Sequence, residues 1–126
     1  MPGERNLDVL LAGMRPELHP GTYVFCVSPE PVASALATFR EAEGLTVVLE
    51  RAEAGRLGLT PLFEAEWITL TIHSALDAVG FLAVVATRLA EAGISCNVVS
   101  AAFHDHLFVP AGRGADALAV LRKGAA

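Results

Sequence analysis

The stretch that decides the fold is residues 66–94, EWITLTIHSALDAVGFLAVVATRLAEAGI, in which the hydrophobic period changes once. In its first part, the apolar residues Ile68, Leu70 and Ile72 occupy every second position. The residues between them are more polar or amphipathic, as in a strand with one apolar face. This alternation predicts a strand that ends at His73, with the histidine on its more polar face.

The second part of the stretch has helical spacing. From Asp77 to Ala92, one stripe of the expected helix is apolar: Leu82, Val85, Ala86 and Leu89. Ser74 and Asp77 are available to cap the start, and Gly93 suits the C-terminal cap. The pattern predicts a strand, a tight turn and a helix in direct succession.

Downstream, ISCNVVSA and HLFVPA predict two strands joined through AFHDH, before the loop GRG and a last helix in ADALAVLRK. The order strand, helix, strand, strand, helix is most of a βαββαβ ferredoxin-like unit. Its last strand is either missing or supplied by the other half of the chain.

Upstream, NLDVLLAGM predicts a short amphipathic helix with Asn6 as N-cap, and TYVFCVS predicts a buried strand. The segment VASALATFREAEG is ambiguous between helix and strand, and we favour a hairpin of ATFRE and LTVVLE closed at Gly44. RAEAGRLG then predicts one or two helical turns ended by Gly58. The first half is therefore a small unit of strands and helix.

Composition limits the classes of function. The nine Lys and Arg residues are outnumbered by fourteen Asp and Glu and are scattered, which argues against nucleic-acid binding. The N-terminus lacks the pattern of a signal peptide, and the longest apolar run, AVGFLAVVA, is too short to cross a bilayer. We expect a cytoplasmic protein without a membrane partner, in which Cys26 and Cys96 are free thiols.

The motif AFHDH raises the question of a metal or a catalytic cluster. In an extended strand His104 and His106 share one face and Asp105 lies on the other. Zinc needs three or four ligands, and none of the histidines and cysteines stands at a recognised metal spacing. The sequence also has no nucleophile elbow, zinc-protease motif or phosphate loop. We expect no metal, no cofactor and no catalysis, although acid–base work by His104 and Asp105 stays open.

The stretch LTIHSALDAVGFLAVVATRLAEAGISCNVV resembles an ACT domain, a small βαββαβ regulatory module that binds amino acids beside its first strand-to-helix turn. The matching features are Asp-x-x-Gly from Asp77 to Gly80, then Ala-Gly-Ile and the polar Asn97. With LHPGTYVFC, TFREAEGLTVVLE and HDHLFVP, the chain resembles small bacterial proteins with two tandem ACT-like halves, and more distantly the CASTOR arginine sensors. One departure is Val79, where ACT modules often have proline before the glycine.

The resemblance implies an amino-acid site at this turn. Unpaired N–H groups at the start of the helix would bind a carboxylate, and Asn97 could bridge both ends of a ligand. By resemblance to the arginine sensors, Asp105 is expected to bind the cationic group of the ligand. The alternative is that Asp105 lies at a solvated hairpin tip and binds no ligand. The expected ligand-binding residues are His73, Ser74, Asp77, Ala78, Val79, Gly80, Phe81, Asn97, His104, Asp105 and His106.

We therefore expect an α+β fold of two tandem ferredoxin-like, ACT-type halves, residues 1–64 and 65–126, with antiparallel sheets covered by helices on one face. The expected function is amino-acid sensing by a regulatory protein, as a homodimer. The alternatives are a structural or protein-interaction module without a ligand, and a small metal- or thiol-dependent enzyme.

Overall fold

The computed structural model describes residues 2–125, with side chains for residues 2–123. The helices are α1 Leu7–Gly13, α2 Arg51–Arg56, α3 Phe81–Glu91 and α4 Gly114–Ala125. The strands are β1 Pro16–Leu18, β2 Tyr23–Ser28, β3 Ala37–Glu41, β4 Gly44–Glu50, β5 Phe63–Leu70, β6 Asn97–Ser100 and β7 Asp105–Pro110.

Local sequence signals set several of these boundaries, as predicted. The Asn6 side chain accepts a hydrogen bond from the Val9 N–H and caps α1. Glu41 pairs with Gly44, so β3 and β4 form the expected hairpin. Gly93, with a φ of 74°, follows the C-cap of α3, a conformation that glycine adopts without the steric penalty of a Cβ.

All seven strands belong to one antiparallel sheet with the order β3-β4-β2-β5-β7-β6. Strand β5 pairs with β2 through its first residues and with β1 through its last ones, and it pairs with β7 on its other side. The orders β5-β2-β4-β3 and β1-β5-β7-β6 are those of two ferredoxin-like units. The strand missing from the second unit is supplied by β1, from the first half of the chain.

The four helices lie on one face of this sheet, and the fold is α+β as predicted. Helices α1, α3 and α4 cover the larger core, which is centred on the fully buried residues Leu10, Ile68, Val85, Leu107 and Leu121. Ala54 of α2 packs on a second core formed by Val24, Cys26, Val47 and Leu49. The expected boundary between residues 64 and 65 falls inside β5, the strand that both units share.

Two boundaries in the decisive stretch differ from the prediction. Strand β5 ends at Leu70 and not at His73, because its partners end there: Leu70 lies opposite Pro16 and Asp105. Helix α3 begins at Phe81 and not at Asp77, since Gly80 has a φ of 91°, which an α-helix does not accommodate. A ten-residue loop, residues 71–80, therefore replaces the expected tight turn; we call it the β5–α3 loop.

The first unit also departs from the expected βαββαβ pattern. Residues 29–36, between β2 and β3, form no helix. The segment contains Pro29 and Pro31, which disfavour helical conformation before and at their own positions. Val32 and Ala35 instead pack as loop residues against the core beneath α2.

Candidate ligand-binding site

A small pocket lies where the β5–α3 loop, the start of α3 and the β6–β7 hairpin meet. Its volume is about 110 Å³, and it is lined by Ser74, Ala75, Leu76, Ala78, Gly80, Phe81, Leu82, Ala83, Ser100 and Asp105. Pockets for drug-sized molecules are roughly 300–1,000 Å³. This one has room for a small ligand.

The polar floor of the pocket is a buried pair. Ser74 and Asp105 are each only 5% exposed, and the Ser74 hydroxyl donates a 2.7 Å hydrogen bond to Asp105 Oδ2. Asp105 faces the helices because it is directly opposite Leu70 and Ser100, and paired residues point to the same side of a sheet. A carboxylate can accept about four hydrogen bonds, so this pair leaves acceptor capacity on Asp105 for a ligand.

The other polar side of the pocket is backbone. Helix α3 has no side-chain cap, since its N-cap is Gly80. The first N–H groups of a helix have no intrahelical acceptor, and the helix dipole favours an anion beside them. The pocket therefore presents a carboxylate on one side and N–H donors on the other.

The β5–α3 loop is held in place by the N-terminal segment. The Glu4 N–H donates to the His73 carbonyl at 2.8 Å, and the Ala75 N–H donates to the Glu4 carbonyl at 2.9 Å. A Cβ on Gly3 would come within 2.7 Å of the Ala75 backbone nitrogen, so the two chains are in close contact. The N-terminal segment thus fixes the loop that carries Ser74.

Five of the expected site residues line this pocket: Ser74, Ala78, Gly80, Phe81 and Asp105. Residues that the sequence interpretation missed also line it, among them Ser100. Ser100 lies directly opposite Asp105 in the β6–β7 hairpin, and residues opposite each other on neighbouring strands point to the same face of the sheet. The register of the hairpin would therefore have predicted that Ser100 faces the pocket.

Three further expected residues belong to the same loop but not to the pocket. Asp77 forms an exposed 2.9 Å ion pair with Arg5, and the hydrogen bond from Arg5 lowers the pKa of the Asp77 carboxyl. Val79 is 85% exposed. The His73 ring lies 5.4 Å from the Phe103 ring, and its Nε2 is buried without a hydrogen-bond partner among the described residues.

Asn97 and His106 lie on the face of the sheet opposite Asp105, and the His104 ring lies beside the His106 ring, so the structure does not bring these three side chains into the pocket. Asn97 pairs with Phe108, which belongs to the apolar cluster on the helix-free face. The His104 ring is 6.4 Å from the His106 ring, as the two-residue period predicted. Asn97 was misplaced because its face depends on the β6–β7 register.

His106 is part of a hydrogen-bonded group on that opposite face. The Trp67 Nε1–H donates to His106 Nδ1 at 3.0 Å, so Nδ1 carries no proton and the ring is neutral. Thr69 Oγ1 lies 3.0 Å from the same nitrogen and 2.7 Å from Nε2 of His19, whose ring stacks on Trp67. Burial, and then the nearby His104 and His19, lower the pKa of His106.

The cysteines are free, as predicted, and Cys26 is buried. Burial raises the pKa of Cys96 to about 11, so this thiol stays protonated at neutral pH. Among residues 2–125, no group of three His, Cys, Asp or Glu side chains is arranged to hold a metal ion. Within the same residues, no helix is long and apolar enough to cross a membrane.

Comparison with known proteins identifies the class. Two models described as ACT domain match residues 2–66 and 62–123, and the chain belongs to the ACT-domain family, with two domains in tandem. The two matches overlap within β5, the strand that both units use. ACT domains are regulatory rather than catalytic modules.

Several solved structures are similar to this chain. A Vibrio cholerae protein, described as of unknown function and a possible transport protein, is 45% identical, with a TM-score of 0.85 over 95% of this chain and 96% of that one. The regulatory subunit of aspartate kinase from Thermus flavus is 8% identical, with a TM-score of 0.62 over 90% of this chain and 98% of that one. The latter likeness shows the fold alone. No curated protein matches this chain.

Proposed function

We propose that this protein is a regulatory sensor that binds a small amino acid in the pocket between Ser74, Asp105 and the start of α3. The observation that carries the proposal is the buried Asp105 carboxylate, which faces the uncapped N-terminus of α3 across a space of about 110 Å³. An α-amino acid carries an ammonium and a carboxylate on one carbon, and this pocket offers a partner to each.

In the proposed complex the ligand carboxylate accepts hydrogen bonds from the first N–H groups of α3, and its ammonium donates to Asp105. Gly80 contributes through its backbone, because its φ of 91° turns the loop into the start of α3. The small volume favours the α-ammonium of a short amino acid over a long basic side chain as the partner of Asp105. His73, Asp77, Val79, Asn97, His104 and His106 are not needed for this binding.

We further propose that the chain has no catalytic activity of its own and works as a cytoplasmic homodimer. The raised pKa of Cys96 argues against a thiol nucleophile. Two free cysteines suit a reducing compartment. A ligand-free interaction module is the competing function, and exposed apolar side chains such as Phe39 and Leu62 favour it as a second candidate.

A thermal-shift screen of the twenty amino acids tests the proposal. A ligand at about 100 times its dissociation constant stabilises a protein by about 2.7 kcal/mol, which is a shift of several degrees for a domain of this size. We expect stabilisation by one or a few short amino acids. If none shifts the melting temperature, and none is retained by the purified protein in mass spectrometry, the competing function is favoured.

A further inference from the structure

Four side chains on the helix-free face of the sheet form a hydrogen-bonded row that the proposed ligand site does not use. Trp67 and Thr69 of β5 lie in the middle, His106 of β7 lies on one side of them, and His19, just after β1, lies on the other. We call these four side chains the histidine row. Backbone pairing fixes their positions, because Thr69 lies opposite His106 and the His19 N–H donates to the Trp67 carbonyl at 2.9 Å.

Two groups in the row compete for one nitrogen of His106. The Trp67 Nε1–H donates to His106 Nδ1 at 3.0 Å, and Thr69 Oγ1 is also 3.0 Å from this nitrogen. A ring nitrogen without a proton accepts through a single lone pair, and an indole N–H can only donate. Trp67 therefore occupies Nδ1 of the neutral ring. The Thr69 hydroxyl is left to donate to His19 Nε2, which is 2.7 Å away.

A proton on Nδ1 reverses the role of His106. The nitrogen then carries an N–H, which cannot bond the Trp67 N–H because both groups are donors. Thr69 Oγ1 is already at hydrogen-bond distance, and a hydroxyl can accept one hydrogen bond while it donates another. The protonated His106 therefore donates to Thr69, and Thr69 still donates to His19. The row can hold both protonation states of His106 without moving the backbone.

We propose that the histidine row is a proton-operated switch, in which protonation of His106 moves its hydrogen bond from Trp67 to Thr69 and releases the Trp67 N–H. The proton comes from solvent, and the only covalent bond formed is Nδ1–H. The switch is independent of the proposed ligand binding, because the pocket at Asp105 lies on the other side of the sheet.

Trp67 transmits the change to the surrounding face because its ring packs on several others. It stacks on the His19 ring with centroids 3.5 Å apart, and it meets the Tyr23 ring edge-on at 5.3 Å. Among the described residues, His106 is the only hydrogen-bond partner of the half-buried indole N–H. A donor left unpaired in such a place costs free energy, so the released indole turns toward water. Acid thus changes the shape of the middle of this face.

The neighbouring charges determine how readily His106 takes up its proton. Burial, and then His104 and His19, lower the pKa of His106, whereas the adjacent Asp105 raises it. The other carboxylate on this face near the row is the exposed Glu17 of β1, opposite Thr69. Strand β6 contains no charged residue, and the two glutamates of β5 alternate with Trp67 and point to the helix side. A proton on one histidine disfavours a second, so the three rings do not titrate independently.

The indole N–H of Trp67 gives a single NMR cross-peak, because the chain has one tryptophan. Between about pH 7.5 and pH 5, this peak should move upfield and exchange faster with water, with the same midpoint as the His106 ring nitrogens. His106→Gln keeps an acceptor for Trp67 but does not titrate, so its indole peak should not move. An indole peak that stays fixed while His106 titrates would overturn the proposal. A His106 ring that remains neutral until acid unfolds the protein would do so too.

Thr69→Val tests the second position of the switch, because valine has nearly the same shape and no hydroxyl. Without an acceptor for its Nδ1–H, the protonated His106 loses a charge-assisted hydrogen bond, and the midpoint should fall by about one pH unit. Thr69→Ser keeps the hydroxyl and should restore the parent midpoint.

The matched control is Thr71→Val, since the Thr71 hydroxyl donates to the Arg15 carbonyl at 2.8 Å. Its midpoint should equal that of the parent, and circular dichroism verifies that all variants fold. If Thr69→Val titrates at the parent midpoint, or if Thr71→Val shifts the midpoint as much, the protonated ring does not bond Thr69 and the proposal fails.

Discussion

The Ser74 hydroxyl donates a 2.7 Å hydrogen bond to the buried carboxylate of Asp105, 31 residues later in the chain. This bond joins the β5–α3 loop to the first residue of β7. It is the only side-chain hydrogen bond of Asp105 among the described residues. The pair therefore both shapes the pocket and connects its two walls.

Ser74→Ala should destabilise the protein by about 1.5–3 kcal/mol. The substitution removes a hydrogen bond to a charged group and leaves the Asp105 carboxylate buried without that donor. Urea denaturation followed by circular dichroism measures the change. Ser34→Ala is a control, because Ser34 bonds Glu53 on the surface and its loss should cost well under 1 kcal/mol. Equal losses of unfolding free energy in the two variants would show that the buried Ser74–Asp105 hydrogen bond stabilises the protein no more than the exposed Ser34–Glu53 bond.

Asp105→Asn should stabilise the ligand-free protein. Asparagine keeps an oxygen for the Ser74 hydroxyl, while a buried charge with one neutral partner is removed. A gain of about 1 kcal/mol corresponds to a rise of about 4 °C in the melting temperature. Such a gain is typical of a residue retained for binding at the expense of stability. A clear fall in melting temperature would assign Asp105 a structural role.

Gly80→Ala should destabilise the protein by about 1–3 kcal/mol through the backbone. Gly80 has a φ of 91°, whereas the nearest atom to an added Cβ is Leu7 Cδ2 at an ordinary 3.7 Å. A side chain added at position 80 strains the backbone of the turn and points toward α1. We therefore expect a residue larger than alanine at this position to perturb the fold.

Gly55→Ala is the matched control for this change, since Gly55 lies in α2 with open space around it. The control should be neutral or stabilising by up to about 1 kcal/mol. Thermal unfolding of both variants decides the matter. If Gly80→Ala has the same melting temperature as Gly55→Ala, the left-handed conformation of Gly80 is not required.

The free energy of unfolding should fall as pH decreases below about 6.5. Burial lowers the pKa of His106 in the folded protein, while the unfolded chain takes up the proton near the ordinary value of about 6.5. Between these two pKa values the unfolded state binds more protons, so acid favours unfolding, and the loss is complete below the folded pKa.

Urea denaturation at about pH 7.5 and pH 5 measures this loss, and His106→Gln should reduce it. Glutamine can still accept the hydrogen bond from Trp67 but does not titrate. His19, His104 and Asp105 are the neighbouring groups that influence His106, so an NMR titration of the ring assigns the effect. A His106 pKa at or above 6.5 would contradict the prediction.

Local patterns in the sequence predicted much of the fold. The cap at Asn6, the turn at Gly44 and the alternation that separates Asp105 from its flanking histidines depend on neighbouring residues, and all three are found. The end of β5 was misplaced because the apolar alternation continues to Ile72, whereas strand pairing ends at Leu70.

The errors at the site have the same origin. The pairing of β1 with β5 spans about fifty residues of sequence, and no local signal predicts it. Because Gly80 has a left-handed conformation, α3 begins four residues later than predicted. Asp77 and Val79 therefore lie in the loop and outside the pocket. The face of Asn97 depends on hairpin register, and a shift of one residue reverses it.

The most direct test of the proposed function is to repeat the amino-acid screen on Asp105→Asn. The control is Asp116→Asn, which removes a carboxylate that pairs with Arg113 on the surface of α4. We predict that an amino acid that stabilises the parent protein also stabilises Asp116→Asn, and that its dissociation constant for Asp105→Asn, measured by calorimetry, rises more than about tenfold. An amino acid that binds Asp105→Asn as tightly as the parent would contradict the assignment of the site.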